Sequence, residues 1–474
     1  MGYPVPVTNS NTVLNINPGE ISAEVERQFP ELLTILKDLV KIPSISAFES
    51  EREALERSAE RVADLFRELG FTGIEIRSAP LPGGNDHSRG APAVVARKSA
   101  APGLPTVMLY AHHDVQPAGT GWNTDPFTPT EIGTRLYGRG AADDKAGIIA
   151  HLGAIKALTT LGLMPDVGIV LFIEGEEEIG SPSFSNFLSE NRDLLAADVI
   201  VIPDSSNWKV GVPALTTSLR GLVDGTVTVS VLDHAVHSGF FGGPILDANV
   251  VLARLIASLH DDAGNVAVAG LYSAPEPKVE YAEADLRKDS SIHGQMALAG
   301  SGSLAGRLWT KPALAVIGID TTSIADSANV LRPTASAKLS LRIPPGQDPK
   351  AAAQALEAHL LANAPFDAKV MWELNEAGNP FQAPADSWAM RAARQAFTEA
   401  WGVEPVDIGV GGSIPFIALL KEVYPNAEIL VTGVEDPDSR AHGANESVHL
   451  GELRKAITAE ALLLLELAKP SSRA

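Results

Sequence analysis

The chain contains no cysteine. That excludes disulfides, thiolate metal ligands and a cysteine nucleophile, so any metal must be held by His, Asp or Glu. Basic residues are also few, with 37 Lys and Arg against 58 Asp and Glu, for a net charge of −21. A surface that acidic repels phosphate backbones and anionic lipid, and neither nucleic acid nor a membrane is an expected partner. Long apolar runs are missing. The stretch Ala461-Leu-Leu-Leu-Leu is interrupted by charge well before the roughly 20 residues that a spanning helix needs. The first 22 residues are polar and rich in Pro and Asn, with neither the basic start nor the apolar stretch of a signal peptide, and the expected location is the cytoplasm.

What is present fits a large globular protein. At 474 residues, 45% of them hydrophobic, the chain exceeds the usual single-domain size, and two domains or one domain carrying an insertion is the expectation. Apolar spacing near 3.6 predicts helices over 20–41 and 50–69, the second closed by Gly70. Short Val, Ile and Leu runs at 106–111, 167–173 and 198–202, with a helical stretch at 148–161, give the α/β rhythm of a mostly parallel, helix-covered sheet. From about residue 215 the texture changes to alternating Thr and Val, followed by a helix near 245–260, strands at 337–343 and 368–374 and a helix at 350–362. Alternating strands need only one buried face, which predicts a separate sheet-plus-helix unit. Helical period returns at 386–400 and 449–468, around a strand at 428–432. The predicted fold is therefore α/β: a catalytic domain of residues 1–212 and 379–474, interrupted by a smaller α+β domain over 213–378.

Five segments concentrate polar chemistry at predicted strand ends, where ligands bind in open α/β sheets. They are Leu109-Tyr-Ala-His-His-Asp-Val-Gln-Pro117, Tyr137-Gly-Arg-Gly-Ala-Ala-Asp-Asp-Lys145, Phe172-Ile-Glu-Gly-Glu-Glu-Glu-Ile-Gly180, Ile200-Val-Ile-Pro-Asp204 and Ser439-Arg-Ala-His-Gly-Ala-Asn-Glu446. Each alone has a plainer reading. His-His-Asp can be a hydrogen-bonded turn, Asp143-Asp144 a favourable helix start, and Glu176-Glu177-Glu178 a solvated acidic loop. Together, five loops each offering an oxygen or imidazole donor concentrate negative charge that cations must neutralise. A Cys-free His, Asp and Glu set suits Zn²⁺, Mn²⁺ or Co²⁺ in a hydrolytic site, and a metal pair roughly 3.5–4 Å apart can activate water and polarise a carbonyl.

In order and spacing these motifs, from Leu39-Val-Lys-Ile-Pro-Ser-Ile-Ser to Glu446, resemble the di-zinc metallopeptidase family that includes carnosinase, cytosolic nonspecific dipeptidase, aminoacylase, carboxypeptidase G and succinyl-diaminopimelate desuccinylase. The dipeptidase branch is the nearest. The resemblance implies a zinc-exopeptidase type of catalytic domain interrupted by a lid and dimerisation domain. It implies two divalent ions per subunit, with His112, Asp143, Glu178, Asp204 and His442 as ligands and Asp143 bridging. Asp114 would orient His112, and Glu177 would be the general base. Asp233-His-Ala-Val-His-Ser-Gly resembles the family's His-Ser-Gly element, making His237 a donor to the oxyanion. Arg342, at a predicted strand end, would hold a peptide carboxylate, with Gly412 and Ser413 of Gly411-Gly-Ser-Ile-Pro415 beside it. Asn329 stands in Asn329-Val-Leu-Arg-Pro333, where the family usually has Asn-Val-Ile-Pro.

The expected activity is metal-dependent hydrolysis of dipeptides or small peptides with a free carboxylate. An N-acyl-amino-acid deacylase needs the same metals and base, and a non-catalytic metal-binding scaffold is an alternative of another class. The resemblance also implies a homodimer through the inserted domain, with the alternating strand at 225–232 offering the edge. In that arrangement a partner's His237 would complete each site.

Overall fold

The run Thr106–His112 is buried at every position, so both faces of this strand must meet apolar neighbours. They do. Val107, Leu109 and Ala111 enter one core and Met108 and Tyr110 the other, and Ile169, Leu171 and Ile173 alternate with Val170 and Phe172 in the same way along Gly168–Glu174. The computed structural model describes residues 17–83, 88–412 and 415–469. Thr106–His112 pairs in parallel with Gly168–Glu174 and with Val199–Ile202, and Glu428–Thr432 continues the parallel centre beyond the latter. Antiparallel strands flank it, Ala93–Lys98 and Glu75–Arg77 on one side and Ala214–Leu219 with Phe381–Gln382 on the other. The sheet is thus mixed, parallel where the site lies.

Helices Pro18–Val40, Lys145–Leu161, Trp388–Trp401 and Leu450–Leu467 supply one covering layer. Phe184, Phe187 and Phe416 pack against Tyr110 and Phe172 in the other, with ring centroids 4.3–5.7 Å apart for Tyr110–Phe416, Phe172–Phe184 and Phe172–Phe187. The helices follow the predicted spans closely. Arg52–Glu68 ends just before Gly70, whose φ of +87° explains why glycine closes it.

The chain leaves the large sheet after Leu219 and forms a second one. Its order is Ala313–Asp320, Thr334–Ile343, Gly221–Ser230, Lys369–Gly378, all antiparallel. Helices Ala248–Ala257 and Pro349–Ala362 pack on it around Val223, Val227, Leu339, Leu252 and Leu356, a core separate from the other two. The strand Ala214–Leu219 belongs to the large sheet, pairing with Val406–Val410 and with Glu428–Thr432. One reading of the sequence needs correction. The 225–232 run is no sheet edge, since Gly221–Ser230 is paired along both sides. The free edges of this sheet belong to Ala313–Asp320, which exposes Ile317 and Ile319, and to Lys369–Gly378.

Three covering helices meet at Gly153. A Cβ there would stand 2.8 Å from Ile457 Cγ2 and 3.0 Å from Leu32 Cδ1. Gly153→Val should therefore cost about 1–3 kcal/mol through overpacking, read as a lowered urea midpoint with an unchanged slope. An unaltered midpoint would show that the three helices are free to separate.

Candidate active site

Parallel pairing brings the strand-end loops together. His112 is the last residue of its strand, opposite Glu174 in the next, and the loop after Glu174 carries Glu177 and Glu178. Asp204 follows the strand Val199–Ile202, and His442 lies in the loop after Glu428–Thr432 with a φ of +60°. Asp143 precedes the helix Lys145–Leu161. Its two oxygens face different histidines: Oδ1 lies 3.0 Å from His112 Nε2 and Oδ2 3.1 Å from His442 Nε2. Glu178 Oε2 lies 3.0 Å from the same His442 nitrogen, and Asp204 Oδ2 3.9 Å from His112 Nε2. Donor atoms within 4.8 Å of one another group as His112, Glu177 and Asp204, as Asp143, Glu178 and His442, and as Asp143, Asp204 and Glu435.

Buried backbone contacts hold this arrangement. Asp114 accepts from the Glu177 and Glu178 N–H groups at 3.3 and 3.1 Å, and its Oδ1 is 3.4 Å from His112 Nδ1, so one carboxylate sets both the histidine and the acidic loop. Glu178 accepts from the Gln116 N–H at 3.0 Å and Gln116 Nε2 at 2.9 Å. Glu446 accepts from the N–H groups of Gly140, Ala142 and Asp143 and from Arg139 Nη1 at 2.6 Å, clasping the glycine loop. Asp144 accepts from the Gly147 N–H and caps the following helix. Glu176 turns away, taking the N–H groups of Ala91 and Ser183. His113 is a buried structural residue whose Nε2–H donates to Pro92 O at 2.8 Å.

The electrostatics call for cations. Hydrogen bonds to Asp143 and Glu178 push His442 up to about 11. Burial alone would favour neutral His112, but Asp114 and Asp143 outweigh it and raise the imidazole well above its ordinary value. Burial raises Asp204 to about 7, with Asp143 and Glu178 adding repulsion, and burial likewise lifts Glu177. Protons on the two imidazoles here do the work of positive charge that bound cations would replace, and the hard oxygen and imidazole donors suit divalent ions. His442 keeps 61% of its side chain exposed, which leaves the cluster open to solvent on that side.

His237 and Asn329 come together on the second unit. Val236–His237 pairs with Val330–Leu331, and the Asn329 carbonyl accepts from the Ser238 N–H at 3.0 Å. His237 Nδ1 accepts from the Gly239 N–H at 3.0 Å, and its ring lies 4.6 Å from that of Phe240. None of these contacts reaches the acidic cluster. Arg342 sits in the strand Thr334–Ile343, opposite Leu222 and Ala313. Gly412 follows the strand Val406–Val410, and Ser413 lies outside the described residues. Gln116, Glu435 and Glu446 were not singled out from sequence. Glu446 and Gln116 stand inside the informative segments, but a carboxylate that accepts backbone N–H groups has no spacing signature.

The geometry defines a metal-dependent hydrolytic centre at the carboxyl ends of a parallel sheet. Residues 108–466 match the model of Peptidase family M20/M25/M40, and the chain belongs to that family. It is 32% identical over 467 residues to a cysteinylglycine-S-conjugate dipeptidase of Corynebacterium striatum, covering 97% of this chain and 98% of the relative. It is 29% identical to a rat Beta-Ala-His dipeptidase, covering 93% of each. The crystal structure of human carnosine dipeptidase 1 superposes with a TM-score of 0.77 at 26% identity, covering 95% of this chain and 98% of that one. The protein is thus a metallopeptidase of the dipeptidase branch, and its donor cluster is built for divalent metal ions. Among the described residues no helix is long and apolar enough to cross a membrane.

Beside the cluster, burial raises Glu174 to about 8 despite hydrogen bonds from Ser181 and from Tyr110, the latter at 2.8 Å. The folded value exceeds the ordinary 4.5, so its stabilising contribution is complete below that value and is lost as pH rises through about 8. Glu174→Gln keeps an oxygen for Tyr110 and removes the titration. The variant should gain stability relative to the parent between pH 4.5 and 8 and hold a constant advantage above, by denaturant unfolding at fixed metal. A difference that does not vary with pH would show that Glu174 is ionised throughout.

Proposed function

We propose that the protein is a dinuclear metallopeptidase hydrolysing dipeptides with a free C-terminal carboxylate, with zinc as its ion and manganese or cobalt able to replace it. The observation that carries this is Asp143, which offers one oxygen toward His112 and the other toward His442. On one side Asp204 lies 3.9 Å from His112, and on the other Glu178 groups with Asp143 and His442. When bound, the two ions supply Lewis acidity that activates a water and polarises the scissile carbonyl.

The side chains divide the rest. Glu177 accepts a proton from the attacking water and returns it to the leaving amine as the C–N bond breaks and the new C–O bond remains. Burial raises its proton affinity, which favours taking up a proton. Asp114 fixes the Glu177 backbone and so the position of the base. His237 donates to the developing oxyanion, and Arg342 pairs with the substrate carboxylate, with Asn329, Gly412 and Ser413 lining the peptide. The unit expected at 213–378, whose own pairing starts at Gly221, serves as lid and pairing domain. Its exposed edge Ala313–Asp320 carries Ile317 and Ile319, which a second copy would cover. We place the protein in the cytoplasm.

A panel of dipeptides, tripeptides and N-acetyl amino acids tests the activity; turnover of the acetylated compounds alone would make it a deacylase. Glu177→Gln should lower kcat by at least roughly 10²-fold with metal content retained. Asp143→Ala should lose metal by elemental analysis, and two ions retained per chain would sink the dinuclear assignment.

Mixing Glu177→Gln with His237→Ala under subunit exchange tests the shared site. Recovered activity is expected, because one site of the mixed dimer then has Glu177 from one chain and His237 from the other. Demonstrated heterodimers without activity would confine His237 to its own chain.

A further inference from the structure

Arg220 is the residue between the two sheets. It follows Ala214–Leu219 of the large sheet and precedes Gly221–Ser230 of the second. Its N–H donates to Val410 O at 3.2 Å and its Nε–H to Gly411 O at 3.1 Å. The side chain is 8% exposed, and Nη1 has no hydrogen-bond partner. Among the described residues no carboxylate forms an ion pair with it. The charged group that acts on it is another cation, Arg342, and burial together with that repulsion lowers Arg220 to about 10. Arg342 by contrast lies in the fields of Glu376 and Asp224.

Register and space explain the pairing of the two cations. Arg342 stands opposite Leu222, two residues beyond Arg220, which brings the two cations near enough for Arg342 to repel Arg220. On the other side, a Cβ at Gly411 would come within 2.6 Å of Arg220 Nη2, so glycine there leaves the guanidinium its room. Arg342, which pairs with the substrate carboxylate, and the glycine loop at Gly411 stand on either side of Arg220. A buried guanidinium that lacks an anion, faces a second guanidinium and keeps one nitrogen undonated is matched by a planar oxyanion able to bond both forks.

We propose that Arg220 is a second specificity arginine which, with Arg342 and the backbone of Gly411 and Gly412, binds the free C-terminal carboxylate of the substrate through Nη1. The cradle draws Gly411 from the large sheet's side and Arg342 from the second sheet, so the carboxylate neutralises repulsion at their junction. This rests on the peptidase reading above and adds a residue that discriminates an acid from an amide.

The test compares a dipeptide with its C-terminal amide on the metal-loaded parent, Arg220→Gln, Arg220→Lys and Gly411→Ala. The parent should prefer the acid. Arg220→Gln should raise KM for the acid roughly 10- to 100-fold with kcat little changed and leave kcat/KM for the amide unaltered, collapsing the preference. Arg220→Lys, a point charge without the fork, should keep part of it. Gly411→Ala should weaken it by displacing the guanidinium. Calorimetric Kd values for acid and amide in a Glu177→Gln background make the same comparison without turnover. Preference for the acid unchanged in folded Arg220→Gln would overturn the proposal and leave Nη1 to an ordered water. If that variant does not fold, unchanged preference in both Arg220→Lys and Gly411→Ala overturns it. A parent that turns over only N-acetyl amino acids would defeat the dipeptidase reading while leaving the Arg220 comparison measurable on those acids and their amides.

Discussion

The structure depends on one carboxylate being held between two imidazoles that come from opposite ends of the catalytic unit. Asp143 can face both His112 and His442 only if its loop is rigid and if the segment after Glu428–Thr432 returns to the same sheet end. Glu446 ties those requirements together. It lies four residues after His442 and accepts the N–H groups of Gly140, Ala142 and Asp143, so the loop carrying Asp143 is clasped by the loop carrying His442. The Arg139 guanidinium, 1% exposed, offsets the charge of that buried carboxylate at 2.6 Å. Breaking the clasp by removing one partner would leave an uncompensated charge in the interior, which is why the pair matters more for geometry than as a source of net stability.

Concentrating acids at one sheet end opposes folding unless positive charge is supplied, and the protein does this in two ways. The carboxylates raise the proton affinity of His112 and His442, so protons there, or cations in their place, supply the charge, and backbone N–H groups go to the acids that do not face the cluster's centre. Asp114, Glu176 and Glu446 all belong to this second class. The same economy explains the adjacent acids of the 176–178 run. Glu176 is consumed by Ser183 and Ala91, which leaves Glu177 and Glu178 to the cluster; Glu178 is pinned by Gln116, and Glu177 has its N–H on Asp114.

Much of this was legible in the sequence where a residue's type and its strand-end position both carried information. The parallel centre announced itself as continuous Val, Ile and Leu runs; His112 ends one of them, Glu178, Asp204 and His442 lie in loops that follow others, and Asp143 precedes a helix. Strands at the margins were not legible for a physical reason. Glu75–Arg77 is short and partly exposed, and Ala313–Asp320 is an edge that exposes alternate and then successive residues, so neither has a clean period. Ala214–Leu219 lies next to Gly221–Ser230 in the chain, and only pairing with Val406–Val410 and Glu428–Thr432 puts it in the other sheet. Glu446 escaped because most of its partners are main-chain N–H groups, which any sequence supplies, and Gln116 because its partner Glu178 is brought to it only by the fold.

The division between what motifs carry and what they leave open follows from how the two sheets are joined. Gly221 meets the return of the chain so closely that a Cβ would lie 2.5 Å from Gly378 O and 2.7 Å from Pro380 N. Both crossings therefore pass through one narrow point. Beyond it the second unit touches the large sheet through a small apolar cluster in which Ala305 and Trp309 meet Ala214 and Ile408. The His and carboxylate cluster sits on the sheet with two extensive cores, where packing fixes it. His237, Asn329 and Arg342 sit on the unit with its own smaller core, so their placement relative to the cluster is set by the junction rather than by local sequence. A catalytic role can thus be carried by a short motif, whereas the shape of the substrate pocket is a property of how two independently packed sheets meet.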